Sequence, residues 1–369
     1  MPALTGLRAF AALNLVFFHF SDPRSFGWFA PIVYNGYTSV SFFLLLSGFI
    51  LTYNYGERAA AGGLRKREFW IARLSRLYPV YLFTLLVSTG MLIEEFHSRS
   101  HGSFALGALL TPLLLQGWHP ILATFWNTPA WTMSTEAFFY VIFPFVVVWR
   151  RPRHLGRLLA LMAALWLAGM VLPALYTWLH PDGELAPDRY SAGIWLRALK
   201  FTPPPHLPSF LFGVALADLN DRMPRANYFR LALVAGGLAG LYSVLYFADR
   251  IPYVFLHDGL LMPLFGSVIL GLAGRNAISQ FFSFVPFVRI GEASYCLYLL
   301  HFNLWDLLHR LGWMQRTHLI DLDPWISYLM LVTGAVITMR FVERPGQRWI
   351  RGLLLPRTSP DRPAAVSLP

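Results

Sequence analysis

The sequence has little charge and almost no cysteine. Only 13% of its 369 residues are Asp, Glu, Lys or Arg, about half of the roughly 25% that is typical of soluble proteins. This is too little charge to cover a water-facing surface. The single cysteine, Cys296, excludes a disulfide framework and a cysteine-ligated metal site. The sequence also lacks the motifs of serine hydrolases, P-loop nucleotide hydrolases and zinc proteases, so we expect none of these activities and no metal.

Long apolar blocks take the place of the missing charge. The chain is 56% hydrophobic with a mean hydropathy of +0.49, and about 20 apolar residues in a row are enough to cross a bilayer. The block at 104–117 is short and contains Pro112, which favours a re-entrant or interfacial segment. We therefore predict an all-α integral membrane protein with about ten transmembrane helices and one short re-entrant or interfacial segment near 104–117. The apolar blocks lie at 3–21, 36–56, 74–95, 104–117, 130–149, 158–179, 205–219, 230–248, 253–274, 290–310 and 324–342.

The positive charge is distributed as membrane orientation signals. The net charge is +11, but the basic residues lie in short clusters between apolar blocks, so we expect no nucleic-acid partner. If 104–117 does not cross, the clusters at 65–67, 150–153, 222–230 and 340–362 share one side of the membrane. The positive-inside rule then predicts that both termini are cytoplasmic. We expect a membrane-embedded domain at 1–346, a last helix closed by Glu343-Arg344-Pro345, and a short basic, proline-containing cytoplasmic tail at 347–369.

Two ionisable side chains lie inside the first apolar block, where charge is costly and is usually functional. Arg8 and His19 are 11 residues apart. An α-helix therefore places them on one face, roughly 16 Å apart along the axis. Arginine suits phosphate binding, and histidine can exchange a proton near neutral pH. The alternative is that Arg8 is an orientation charge and His19 an interfacial residue.

Three further ionisable side chains are candidates. Arg73 and Arg76 are three residues apart on a predicted helix, so two guanidiniums on one face can clamp a phosphate; a positive-inside anchor is the alternative. Glu136 begins an apolar span and needs a cationic or hydroxyl partner there; the alternative is an acid that the helix dipole favours. A stripe at helical spacing, interpreted as packing, consists of Tyr295, Tyr298, His301 and Trp305.

Several segments, in this order along the chain, resemble membrane acyltransferase family 3, the multi-pass bacterial O-acyltransferases. The resemblance covers about residues 3 to 346, and one departure is Thr132 where a serine is usual. The matching segments are Leu4-Thr5-Gly6-Leu7-Arg8-Ala9 with His19, Phe42 to Phe49, Arg73-x-x-Arg76, Asn127-x-Pro129-x-Trp131 through Glu136, Ser294 to His301, and Glu343-Arg344-Pro345.

The resemblance implies an O-acyltransferase of the bacterial inner membrane. Its donor is acyl-CoA, most often acetyl-CoA, and its acceptor is a hydroxyl of a carbohydrate or another small molecule. It implies donor phosphates on Arg8, Arg73 and Arg76, and His19 as general base. Under the same resemblance, Glu136 either orients His19 or binds the acceptor. The acceptor also contacts Trp131, Ser134 and His301.

Two other classes of protein stay open at this stage. A proton-coupled membrane transporter also needs charges inside its helices, but it predicts two similar halves, which are not visible in the sequence. A non-catalytic scaffold has no need of Arg, His and Glu within its spans.

Overall fold

Helices are the regular secondary structure of the described part of the chain, which confirms the predicted all-α class. The computed structural model describes residues 1–148, 152, 154–224, 228–310 and 313–355, and no strand occurs among them. The predicted basic cluster at 150–153, apart from Pro152, lies outside these residues, as do Arg225 and the end of the predicted tail from 356 to 369.

The α-helices are α1 (Pro2–Phe20), α2 (Ala30–Tyr34), α3 (Thr38–Ala60), α4 (Lys66–Val87), α5 (Thr89–Ser98), α6 (His101–Leu110), α7 (Trp131–Val146), α8 (Leu155–Leu179), α9 (Ile194–Phe201), α10 (Leu207–Asp221), α11 (Tyr228–Tyr246), α12 (Tyr253–His257), α13 (Met262–Leu272), α14 (Ala277–Phe282), α15 (Val285–Glu292), α16 (Ser294–Arg310), α17 (Trp313–Arg316), α18 (Trp325–Thr338) and α19 (Arg344–Leu354). Short 3₁₀ segments lie at Pro23–Phe29, Gln116–Trp118, Thr128–Ala130, Pro204–His206, Ala248–Arg250 and Leu319–Leu322.

A helix lies at each of the ten blocks predicted to cross the membrane. Among the described residues, six helical stretches are long and apolar enough to cross a bilayer. A seventh is the pair α4 and α5, bent by 63°, if it counts as one span. The helices α7, α10 and α16 have 16, 15 and 17 residues, fewer than the roughly 20 of an average span. The protein is therefore a multi-pass membrane protein, while the total of ten spans and the cytoplasmic termini stay predictions.

The segment near 104–117 contains a helix that is too short to cross. Its helix α6 has 10 residues, which at 1.5 Å per residue is about 15 Å against a hydrocarbon core of about 30 Å. Turns follow it, and the hydroxyl of Tyr81 donates to the carbonyl of Thr111 at 2.5 Å. The re-entrant or interfacial placement of this segment stays a prediction.

The expectation that Glu343-Arg344-Pro345 closes the last helix is wrong. A π-helical turn at Met339–Glu343 joins α18 to α19, and the chain stays helical to Leu354. Pro345 lies in the first turn of α19, directly after the π-helical turn. The first residues of the predicted tail are thus part of a helix that packs against α4, where Arg351 donates to the Ser75 hydroxyl at 3.2 Å.

Helices α1 and α3 lie between two apolar clusters that form the interior. One cluster is built mainly from α4, α7, α16 and α18, and the other mainly from α8, α10, α11 and α13. Opposite ends of α1, such as Leu4 and Leu15, contribute to different clusters. Arg8 of α1, which is partly buried, therefore lies at the boundary between the two halves of the bundle.

Two glycines allow α3 and α10 to approach closely. A Cβ on Gly48 would lie 2.1 Å from the carbonyl oxygen of Phe210, and one on Gly213 would lie 2.0 Å from that of Leu45. Small residues at such crossings let backbones touch, and close packing is a main source of helix association in lipid. The position of Ser47, next to Gly48, depends on this contact.

We expect Gly48→Ala to destabilise the protein, because its new methyl group can only be accommodated by separating α3 from α10. The matched control is Gly236→Ala on α11, where a Cβ would meet nothing within 4 Å and where alanine favours the helix by up to about 1 kcal/mol. Thermal unfolding in detergent should show a midpoint several degrees lower for Gly48→Ala only. Equal midpoints for the two variants would contradict the close crossing.

Candidate active site

A cavity inside the bundle is lined by four of the predicted site residues. Its volume is about 150 Å³, and its walls come from α1, α3, α4, α7 and α16. The cavity thus unites residues from distant parts of the chain. Its polar lining is Arg8, Ser47, Arg73, Arg76, Thr132, Glu136, Tyr140, Ser294, Tyr295 and Tyr298.

The three arginines of this cavity differ in how they are held. Arg73 donates from Nη2 to the hydroxyl of Tyr55 at 2.9 Å and lies over its ring. Among the described residues, no hydrogen bond or ion pair occupies the guanidinium of Arg8 or of Arg76. Two guanidiniums that are not engaged by the protein face one space, so their donors are available to an anionic ligand.

Glu136 gives this cavity its one lining carboxylate. Its Oε2 accepts a hydrogen bond from the Ser47 hydroxyl at 2.9 Å. A second carboxylate, Glu343, is 7% exposed just behind the lining, accepts from the Cys296 thiol at 3.2 Å, and attracts Arg8 and Arg76 electrostatically. Three guanidiniums against two carboxylates leave a net positive charge, and an uncompensated charge inside a membrane protein is costly unless a ligand balances it.

His19 lies next to His301 rather than next to Glu136. The imidazole rings of His19 and His301 stack with centroids 5.2 Å apart at 30°, and the ring of Phe302 lies 4.5 Å from that of His19. His19 is exposed, whereas His301 is fully buried. The expectation that Glu136 orients His19 finds no contact in the described residues.

The geometry around His301 determines its tautomer. Its Nδ1 lies 2.6 Å from the carbonyl oxygen of Tyr298, so Nδ1 carries the proton and donates it to that oxygen. Its Nε2 is buried and has no hydrogen-bond partner among the described residues. His301 therefore presents a lone pair, not a proton, to its surroundings.

Helix α16 connects the cavity to the histidine pair. Tyr298 lines the cavity and His301 follows three residues later, a rise of about 4.5 Å along the helix. Arg8 and His19 are similarly joined by α1. Two helices thus run together from the arginine-lined cavity to an exposed imidazole.

Trp131 and Ser134 are buried and do not line the cavity. The ring of Trp131 packs against Phe201 at 5.4 Å and His206 at 5.3 Å. The hydroxyl of Ser134 accepts from the backbone N–H of Gly117 at 3.1 Å and so ties α7 to the short segment after α6. Their assignment to acceptor binding stays a prediction.

Sequence reasoning missed several polar residues of the interior. Tyr295 and Tyr298, interpreted as packing, line the cavity, as do Ser47 and Tyr140. His206 and Asp258 form a buried pair with Nδ1 and Oδ1 2.8 Å apart. The tyrosines had a signal in their helical spacing, but no local pattern links His206 to Asp258. Within the described ranges, no group of three or more His, Cys, Asp or Glu is arranged to hold a metal ion.

The sequence matches a known protein family over most of its length. The sequence model of a family described as "Acyltransferase domain" matches residues 1–340. The chain therefore belongs to this acyltransferase family, and the resemblance in its motifs is confirmed. By class, the protein is an acyltransferase.

Curated relatives agree with this class. The chain is 28% identical to Acyltransferase MdmB of Streptomyces mycarofaciens, over 84% of this chain and 80% of that protein. It is 24% identical to Peptidoglycan O-acetyltransferase OatA of Listeria monocytogenes and 25% identical to Putative peptidoglycan O-acetyltransferase YrhL of Bacillus subtilis. Each of these alignments covers 94% of this chain, which spans about half of either relative, 55% and 54%. No solved structure gives a significant match.

Proposed function

We propose that the protein transfers an acyl group, most simply acetyl, from acyl-CoA to a hydroxyl of a carbohydrate or another small-molecule acceptor. The observation that carries this proposal is the pairing of an arginine-lined cavity with an exposed imidazole along α1 and α16. The first feature suits a donor with several phosphates, and the second suits the removal of a hydroxyl proton. The names of the relatives support O-acetyl transfer as the reaction.

The arginine-lined cavity would hold the phosphate end of the donor. Guanidinium binds phosphate through paired, charge-assisted hydrogen bonds, and Arg8 and Arg76 have their donors free for this. The cavity volume of about 150 Å³ is below the roughly 300–1,000 Å³ of sites that enclose a whole drug-sized ligand. It therefore suits one end of the donor, with the acyl arm extending along α1 and α16 toward His19.

His19 would act as the general base. Its ring takes the proton of the acceptor hydroxyl while the hydroxyl oxygen attacks the thioester carbonyl, forming the ester and breaking the carbon–sulfur bond. The departing thiolate then receives the proton from the imidazolium, which restores neutral His19. The stacked ring of His301 keeps the His19 ring in place. Glu136 accepts a hydrogen bond from the Ser47 hydroxyl and so stabilises the wall of the arginine-lined cavity.

The proposed location and orientation rest on the distribution of positive charge along the chain. We propose the bacterial inner membrane with about ten spans and both termini cytoplasmic, which places Arg8 near the cytoplasmic face and His19 near the outer end of α1. A soluble, cytoplasmic donor would then reach the arginines from inside. The acceptor would approach His19 from the opposite face.

The direct test is acyl transfer by the purified full chain in nanodiscs. With radiolabelled acetyl-CoA and a neutral oligosaccharide, we expect release of the CoA thiol together with label on the sugar. Nanodiscs without the protein are the control. A protein that leaves acetyl-CoA intact and carries a solute across vesicles would instead be a transporter, and the proposed reaction would be wrong.

A further inference from the structure

A second cavity lies apart from the arginine-lined one. It has a volume of about 390 Å³ and is lined by residues of the segments 177–189 and 248–256, together with Tyr34, Asn35 and Tyr37 from the end of α2 and the turn before α3. None of its described lining residues lines the first cavity. Its volume is within the roughly 300–1,000 Å³ of small-molecule sites.

The charges of this second cavity balance. Its lining includes two carboxylates, Asp188 and Asp249, and two guanidiniums, Arg189 and Arg250. The arginine-lined cavity, by contrast, has three guanidiniums and one carboxylate in its lining. A site with balanced charge gives no net attraction to an anion, so it suits an uncharged ligand.

Three tyrosines give this cavity flat apolar surfaces with polar edges. Tyr34 and Tyr253 both line it, and Tyr37 packs against Tyr253 with ring centroids 5.0 Å apart. The hydroxyl of Tyr37 donates to Asn35, whereas no hydrogen bond occupies those of Tyr34 and Tyr253 in the described part of the chain. Aromatic faces pack on the apolar face of a sugar ring, and free hydroxyls, carboxylates and guanidiniums pair with its hydroxyls.

The wall of the cavity is held by specific bonds. The carboxylate of Asp182 accepts from the Tyr176 hydroxyl and from the backbone N–H groups of Trp195 and Leu196. The Lys200 ammonium donates to the carbonyl oxygen of Arg189 at 3.2 Å. Burial, with Arg197 nearby, lowers the pKa of Lys200 to about 8, so the ammonium is still charged and able to donate at neutral pH.

Arg189 connects this cavity to the proposed base. Its guanidinium lies 4.9 Å from the ring of Tyr34 and 5.0 Å from that of Phe18, and the Phe18 ring is 4.7 Å from the His19 ring. Its Nε is buried with no partner among the described residues. Arg189 and the Phe18 ring therefore lie between a ligand in the cavity and His19.

We propose that this second cavity binds one sugar unit of the acceptor, a neutral, hydroxyl-rich oligosaccharide whose neighbouring unit extends past Phe18 to His19. The proposal rests on the acyltransferase function proposed above and adds the acceptor's site and charge. Donor and acceptor would then occupy separate cavities on the two sides of the histidine pair, a charged one for acyl-CoA and a neutral one for the sugar.

The test measures binding of chitotetraose, a neutral oligosaccharide, to the full chain in nanodiscs by saturation-transfer NMR. We expect Tyr34→Ala and Asp249→Ala to weaken this binding at least tenfold, since both side chains are exposed and their loss leaves the core intact. The matched controls are Tyr246→Ala and Asp321→Ala, two exposed residues outside both cavities. Acetyl-CoA affinity should be equal in all five proteins.

The outcomes separate this proposal from the acyltransferase function. Wild-type protein that does not bind chitotetraose, that binds an anionic oligouronate more tightly, or whose Tyr34→Ala and Asp249→Ala variants bind as the controls do, overturns the acceptor site. Acetyl-CoA cleavage by the same wild-type sample would leave the acyltransferase function standing in each case. Tyr34-dependent sugar binding without any acetyl-CoA cleavage would support the carbohydrate site and overturn the reaction.

Discussion

Replacing His19 with alanine should abolish acyl transfer while leaving the protein folded and able to bind acetyl-CoA. General bases contribute about 10²–10⁴-fold to rate, and no other exposed imidazole is in contact with His301 among the described residues. Because the His19 ring is exposed, its loss opens no internal cavity. The effect should therefore appear in kcat, with little change in the unfolding temperature.

The measurement is the rate of label transfer from acetyl-CoA, together with the thermal unfolding midpoint and the affinity for acetyl-CoA. His97→Ala, an exposed histidine on α5, is the matched control and should behave as wild type. A His19→Ala protein that transfers acetyl groups at the wild-type rate would remove His19 from the reaction. The base would then have to be sought elsewhere.

Replacing Arg76 with alanine should raise the dissociation constant for acetyl-CoA by about 10–100-fold. A hydrogen bond to a charged group is worth about 1.5–3 kcal/mol, and each 1.4 kcal/mol is a factor of ten. Arg76 is the clearest choice in the pair on α4, because Arg73 also holds the hydroxyl of Tyr55. Arg76→Lys keeps the charge but loses the paired geometry, so its effect should be intermediate.

Arg67→Ala is the matched control, since it removes the same charge from the same helix at an exposed position outside the cavity. Equilibrium binding of acetyl-CoA to the protein in nanodiscs gives the comparison directly. If Arg76→Ala and Arg67→Ala weaken binding equally, the cavity does not hold the donor. Arg73 and Arg76 would then be plain orientation charges.

The structure brings some of the predicted site residues together and separates others. The outcome depends on how far apart in the chain the residues of each predicted contact are. Arg73 and Arg76 are one helical turn apart, so local geometry was enough to place both at one surface, and both line the cavity. Glu136 was expected to have a cationic or hydroxyl partner, with His19 or the acceptor as the candidates. It found Ser47 and the arginines instead, because the packing of α7 against α4 turned it toward them.

Hydrophobic period and charge placement are local properties of a chain, and they were sufficient for the helical class, the membrane setting and the face shared by Arg8 and His19. Which side chains meet across the bundle depends on how helices far apart in the chain pack together. The glycines of α3 and α10 and the course of α16 decide that packing. Only the folded bundle could therefore join Arg8 to the arginines of α4, place His301 under His19, and form a second cavity of balanced charge beside them.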